Sequence, residues 1–179
     1  MDKKHCILVY HVNSQENISS VVSSYKDNRG ELYFSKEDGF WAGDGMYFWD
    51  NKGNAKYWKK TTKNKFMLSA DINIDEDYFL DFTDKDVLEE WENLWPLVAK
   101  KFHISNDSTP GKKINTICKF MPNIKIVKIN GYYPNVNERK FISGGKEESG
   151  LPYMTIKTKT IFCVKCSDVL DNVHEVVER

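Results

Sequence analysis

The segment GDGMYFWDNKGNAKYW, residues 43–58, concentrates side chains suited to holding a ligand ring. Gly43 and Gly45 permit backbone conformations and close approaches that a Cβ forbids. If residues 46–49 are extended, Met46 and Phe48 face one way and Tyr47 and Trp49 the other. Only one of those faces is needed for the core. The second, beside a glycine-lined entry, suits a stacking platform for a planar ring. A strand buried on both faces is the competing reading, and pattern alone favours it. His11 is the second candidate, because it closes the β-prone run HCILVYHV where the chain turns toward a loop. A histidine there either anchors the loop or meets a ligand, and the anchoring role is the commoner one. His5, His103 and His174 have no comparable context.

Other chemistries find no support in the spacing. There is no G-x-S-x-G, no Walker loop and no G-x-G-x-x-G. No two histidines stand at metal-ligand spacing, so no metal is expected. Cys163 and Cys166 form a C-x-x-C with no second pair, and Cys163 falls inside the apolar alternation TIFCV, so a structural, reduced cysteine is expected. The carboxylates of residues 71–86 lack the order of a calcium loop and read as caps and surface charge. The KEES cluster at 146–149 reads as a solvated loop.

At 179 residues the chain is the size of one domain, and 26 basic residues balance 26 acidic ones. Zero net charge argues against binding bulk nucleic acid, which usually shows a basic excess. No run approaches the ~18 apolar residues of a membrane span, and Cys6–Tyr10 is short for a secretory signal. A cytoplasmic protein with no membrane partner is the expectation. Its oligomeric state is not legible in the sequence.

The elements that must position the candidates follow from periodicity. HCILVYHV reads as a central strand. Ile18, Val21, Val22 and Tyr25 give helical spacing after a cap at Asn13 or Ser14. MYFWD is a strand, and Asn51 or Asn54 caps the helix NAKYWKKTTK. KFMLSADINID is a strand. YFLDFTD leads from a strand into a helix with a capping-box-like Thr83–Asp86 pair, a stripe of Leu88, Trp91, Leu94 and Trp95, and a kink or a break at Pro96. INTICKFM is a short helix, IKIVKING a strand, and the last thirty or so residues hold two more strands. The sum is α+β, roughly five to seven strands and three short helices, with no internal boundary.

YHV closing a first strand, then a helix, then GDGMYFWDNKGNAKYW, resembles the opening of ADP-ribosyltransferase-like proteins related to small bacterial toxins. Those read Y-H-G-T, then G-x-G-x-Y-F, a short turn and A-x-x-W-A. INIDEDYFLDFTD is similar to the strand before the family's middle helix, and TKTIFCVKCSDVLDN to its closing strand and turn. The likeness spans most of the chain, at motif level. It implies one domain over 1–179, two small antiparallel sheets around an NAD cleft with short helices, and NAD+ as a substrate.

On that resemblance His11 holds the adenosine-side ribose and Tyr47 stacks on nicotinamide. Gly45 lets the backbone approach the carboxamide, Val12 and Trp49 line the cleft, and Arg139 or nearby lysines bind the pyrophosphate. The implied reaction breaks the nicotinamide–ribose bond through an oxocarbenium-like state, which a carboxylate normally stabilises. Two departures stand out. Val12–Asn13 replaces the family's Gly-Thr, and Ile161 falls where the family carries Glu or Gln. Glu138 is the first candidate for the missing carboxylate and Glu148 the second, with Glu147 beside it. The implied function is mono-ADP-ribosyl transfer to a macromolecule, or NAD+ hydrolysis, in a toxin or antiviral-defence effector. The alternative is an inactive module of the same fold that binds a nucleotide, a nucleic acid or a protein. Under it NAKYWKKTTKNK contacts single-stranded nucleic acid, although a solvated lysine-rich helix end is the commoner meaning of such a tract.

Overall fold

The described residues of the computed structural model are 5–36, 39, 41–63, 66–137 and 155–177. Glu138, Arg139, Glu147 and Glu148 lie outside them. The elements run β1 (His5–Asn13), α1 (Gln15–Lys26), β2 (Met46–Trp49), α2 (Lys52–Thr61), β3 (Phe66–Ile74), β4 (Phe79–Asp81), α3 (Lys85–Lys101), α4 (Pro110–Phe120), β5 (Ile126–Tyr132), β6 (Thr158–Val164) and β7 (Leu170–Glu175).

The helix starts follow local capping chemistry. Ser14 Oγ accepts from Asn17 N at 3.3 Å, so Ser14 caps α1. Asn51 Oδ1 accepts from Asn54 N at 2.9 Å, so of the two expected caps Asn51 is the one used and α2 starts at Lys52. Asp84, and not Thr83, caps α3 through Asp86 N. Thr83 is held instead by Asp81, to whose carboxylate it donates from both N and Oγ1. Pro96 does not divide α3, which runs unbroken to Lys101. In the expected stripe, Trp91 and Trp95 are buried while Leu88 and Leu94 are exposed.

Among the described residues seven strands form one mixed sheet in the order β4-β5-β6-β2-β1-β3-β7, and not two small antiparallel sheets. The β4–β5 pair is parallel; the others are antiparallel. The expectation of two sheets nevertheless has a physical counterpart. β1 and β3 pair along nine residues, but β1 and β2 share only Tyr10↔Trp49. The sheet is thus two halves joined at one position. Among the described residues four α-helices, one more than expected, pack around it.

One face packs against α1. Val9, Met46, Phe48, Leu68, Ile72 and Phe162 meet Ile18, Val21 and Val22 there. On the opposite face α3 and α4 cover the β4–β5–β6 half through Trp91, Trp95, Ile114 and Ile117. A third cluster of Val12, Trp49, Ala55, Met67 and Ile161 lies under α2. Tyr47 and Ile129 touch both of the last two clusters. The alternation expected for β2 holds: Met46 and Phe48 belong to the α1 core, Tyr47 and Trp49 to the other side.

Phe48 is fully buried. Phe48→Ala is expected to lower stability by about 3–5 kcal/mol, from lost transfer energy and the cavity left behind. Urea denaturation checks this: the midpoint should fall with an unchanged m-value, and a loss under ~1 kcal/mol would overturn the placement of β2 in the core.

Candidate functional site

Where β1 and β2 part company beyond Tyr10↔Trp49, a side chain bridges the gap. His11 Nδ1 lies 2.7 Å from the Tyr47 carbonyl oxygen. A carbonyl can only accept, so Nδ1 carries the proton and donates. Asn13 Nδ2 donates to His11 Nε2 at 3.3 Å, the complementary role for a neutral ring. Burial is the main influence on this imidazole. It drives the pKa from 6.5 down to about 4, against the opposing pull of the Tyr47 carbonyl. His11 is therefore a neutral Nδ1–H tautomer near pH 7, with Nε2 as an acceptor.

Asn13 in turn is fixed by α1. Its Oδ1 accepts from Ser14 N at 2.8 Å and from Asn17 Nδ2 at 3.0 Å. The first turn of α1 thereby sets the amide that meets His11. Tyr47 is held at its far end, where its hydroxyl donates to the Gly43 carbonyl. Lys165 Nζ donates to the Ala42 and Asp44 carbonyls and ties the same loop to the end of β6.

These groups surround a cavity of about 330 Å³, lined by His11, Val12 and Asn13 of β1, Tyr47 and Trp49 of β2, Ile161 of β6, Trp58 of α2, and Tyr33, Ser35, Trp41 and Tyr133 from loops. Six of these eleven are Trp or Tyr, and none carries a carboxylate or, with His11 neutral, a formal charge. The rings interlock. Trp49 lies 5.7 Å from Trp58 and 5.9 Å from Tyr133 between centroids, and Trp41 stacks on Tyr133 at 5.8 Å and 25°. Such a box offers ring faces to a flat or delocalised cationic group.

The strands thus bring His11, Val12, Tyr47 and Trp49 to one cavity, and Ile161 with them. Ile161 sits across the ladders from Trp49 and Ile129, so this position of the wall is wholly apolar. Gly45 is not in the wall. Its φ is 156°, and a Cβ there would come within 2.5 Å of Cys163 Sγ and 2.8 Å of the Val164 carbonyl oxygen. Glycine at 45 lets the chain lie against β6, and its amide and carbonyl pair with Ser35.

Sequence reasoning did not single out Tyr33, Trp41 or Tyr133. Each is an aromatic in irregular chain, which carries no period that could have marked it. Lys159 was also missed. It is 5% exposed, two residues before Ile161 on the same face of β6, and its Nζ donates to Asn54 Oδ1 at 2.8 Å. That ammonium lies 5.0 Å from the Tyr57 ring centroid and 5.8 Å from that of Tyr133. Burial lowers its pKa.

Cys163 is fully buried, and desolvation pushes its thiol up to about 11, consistent with the structural role expected of it. Among the described residues no group of three His, Cys, Asp or Glu gathers as a metal site, and no helix is long and apolar enough to cross a membrane.

The His11 shift has a consequence for stability. Its folded pKa lies below the unfolded value, so the unfolded chain binds the extra proton between pH 6.5 and about 4. This contribution is complete above pH 6.5 and is lost as pH falls toward 4, amounting to roughly 3 kcal/mol. His11→Gln should flatten the fall in stability between pH 6.5 and 5, followed by urea denaturation against pH. An unchanged slope would show that His11 titrates normally.

No protein-family model, curated protein or solved structure matched the chain.

Proposed function

We propose that the aromatic cavity is an NAD+ site and that the chain is an ADP-ribosyltransferase-like protein, moving ADP-ribose to a macromolecule or to water. The observation that carries this is the pairing of His11 with Tyr47. They lie 36 residues apart, are joined by the Nδ1–H···O=C bond, and both line one neutral aromatic box. The pyridinium of NAD+ is a flat, delocalised cation, the class of group that ring faces attract. Tyr47 and Trp49 supply those faces. The neutral His11 keeps this end of the wall free of charge, with its ring held by Tyr47 and Asn13.

Cleavage of the nicotinamide–ribose bond builds positive charge on the sugar, and preorganised negative charge is the usual stabiliser. Ile161 provides none. On this reading the carboxylate comes from Glu138, or secondly Glu148, with Arg139 on the pyrophosphate by charge-assisted hydrogen bonds.

A second reading has its own observation. No carboxylate lines the cavity among the described residues, which favours a module that binds its ligand and leaves it intact. One experiment separates the two. The protein is incubated with NAD+ and cell lysate, and nicotinamide release and NAD+ binding are both measured. The enzyme reading expects release from wild type, loss of at least tenfold in Tyr47→Ala, and a comparable loss in Glu138→Gln. Binding without release supports the module. Neither binding nor release overturns both NAD+ readings, and activity that survives Glu138→Gln overturns only that residue's role.

A further inference from the structure

Two costs fall on one pair of stacked rings. Trp41 has a φ of 60°, a left-handed conformation that a bulky residue keeps only where its surroundings impose it. Its partner Tyr133 buries its hydroxyl with nothing to bond to, a state shared among the described side chains only by Asp44 Oδ1. The two rings lie 5.8 Å apart between centroids, at 25°.

Gly131 of β5 is the seat of the stack. A Cβ there would come within 2.6 Å of Trp41 Cζ3 and 3.1 Å of Tyr133 Cε2. The backbone is clamped close to both residues. Lys165 Nζ donates to the Ala42 carbonyl at 2.6 Å, and Tyr133 N donates to the Lys157 carbonyl at 2.9 Å. Movement here is confined to the torsions of Trp41 and to the two rings.

Ring contacts oppose the costs. Tyr133 meets Trp49 at 5.9 Å and Tyr57 edge-on at 5.9 Å and 80°, with the Lys159 ammonium 5.8 Å from its centroid. Such contacts are individually of the same modest size as a left-handed torsion or a lost hydrogen bond. Turning the phenol to water satisfies the hydroxyl and frees the indole, at the loss of those contacts. Two packings separated by a small difference of opposed terms make a bistable element.

The pair also stands at a boundary. Trp41 and Tyr133 both wall the His11–Tyr47 cavity, and Trp41 walls in addition a groove of about 540 Å³ between α3, α4 and β5. Displacing the indole removes a wall common to the two spaces.

We propose that the Trp41–Tyr133 stack is a two-state gate on the aromatic cavity. Closed, it confines the cavity to about 330 Å³, near the lower end of small-molecule sites, which span roughly 300–1,000 Å³. Open, it gives the Tyr133 hydroxyl to water and lets the cavity run toward the groove. The gate thereby sets how large a planar ligand the cavity admits. It is independent of the NAD+ reading.

Fluorine NMR of the intact chain carrying 5-fluorotryptophan tests the gate without a ligand. The chain has five tryptophans, and the resonances lost in Trp41→Phe and Trp49→Phe assign those two. Trp41 is expected to exchange between two environments on the μs–ms scale, seen as relaxation dispersion. Trp49, whose ring meets Tyr133, should share its rate. Tyr133→Phe keeps the ring and removes the unsatisfied hydroxyl. It should lower the open population roughly fivefold or more and raise the urea midpoint. A Trp41 resonance without dispersion in wild type overturns the gate. So does an open population that Tyr133→Phe leaves unchanged. A urea midpoint lowered by Tyr133→Phe shows a hydroxyl that is bonded in the closed state, and it overturns the gate as well.

Discussion

The parting of β1 from β2 is the constraint on which the rest of the arrangement depends. A continuous ladder would have consumed the edge groups of both strands and closed the sheet. Here the strands meet at Tyr10↔Trp49, and beyond it the imidazole of His11 takes the place of a backbone donor to the Tyr47 carbonyl. A buried carbonyl left without a partner is costly, so the bond both satisfies the backbone and fixes the ring. The same bond sets the tautomer, and burial sets the charge. One interaction thereby makes the gap in the sheet tolerable and defines the chemistry of the residue that lines it.

Everything around that gap is arranged to hold ring faces. β2 alternates, so Phe48 seals the α1 side while Tyr47 and Trp49 face the cavity side. α2 supplies Trp58, and the loops before β2 and after β5 supply Trp41 and Tyr133. Two staples keep the loop before β2 in register with β6: the Lys165 ammonium on the Ala42 and Asp44 carbonyls, and the close approach that Gly45 allows. The described wall is uncharged, and Lys159, the buried cation beside Tyr57 and Tyr133, is spent on Asn54. Electrostatically the described wall is a set of ring quadrupoles with no formal counter-charge, an environment suited to a flat or delocalised group.

Much of the site was legible in local pattern. Period-two alternation separated Phe48 from Tyr47, and the strand-end position of His11 marked it out before any contact was known. The caps were legible too, Ser14 and Asn51 among the residues named for α1 and α2. What pattern misread were features decided by neighbours far along the chain. Leu88 and Leu94 carry helical spacing, yet α4 packs on Trp91 and Trp95 and leaves the leucines outside. Thr83 looked like a cap, but Asp81 holds its hydroxyl and Asp84 takes the role.

The sequence by itself determined the element types and the faces they present, because propensity, alternation and capping act over a few residues. Tertiary structure decided that the halves form one sheet joined at a single pair, since strand order depends on contacts between residues tens of positions apart. It decided that Gly45 serves packing on β6 rather than the cavity wall. It decided too that Trp41 and Tyr133, unremarkable in their loops, stack to complete the cavity, because ring positions in irregular chain follow from no period at all.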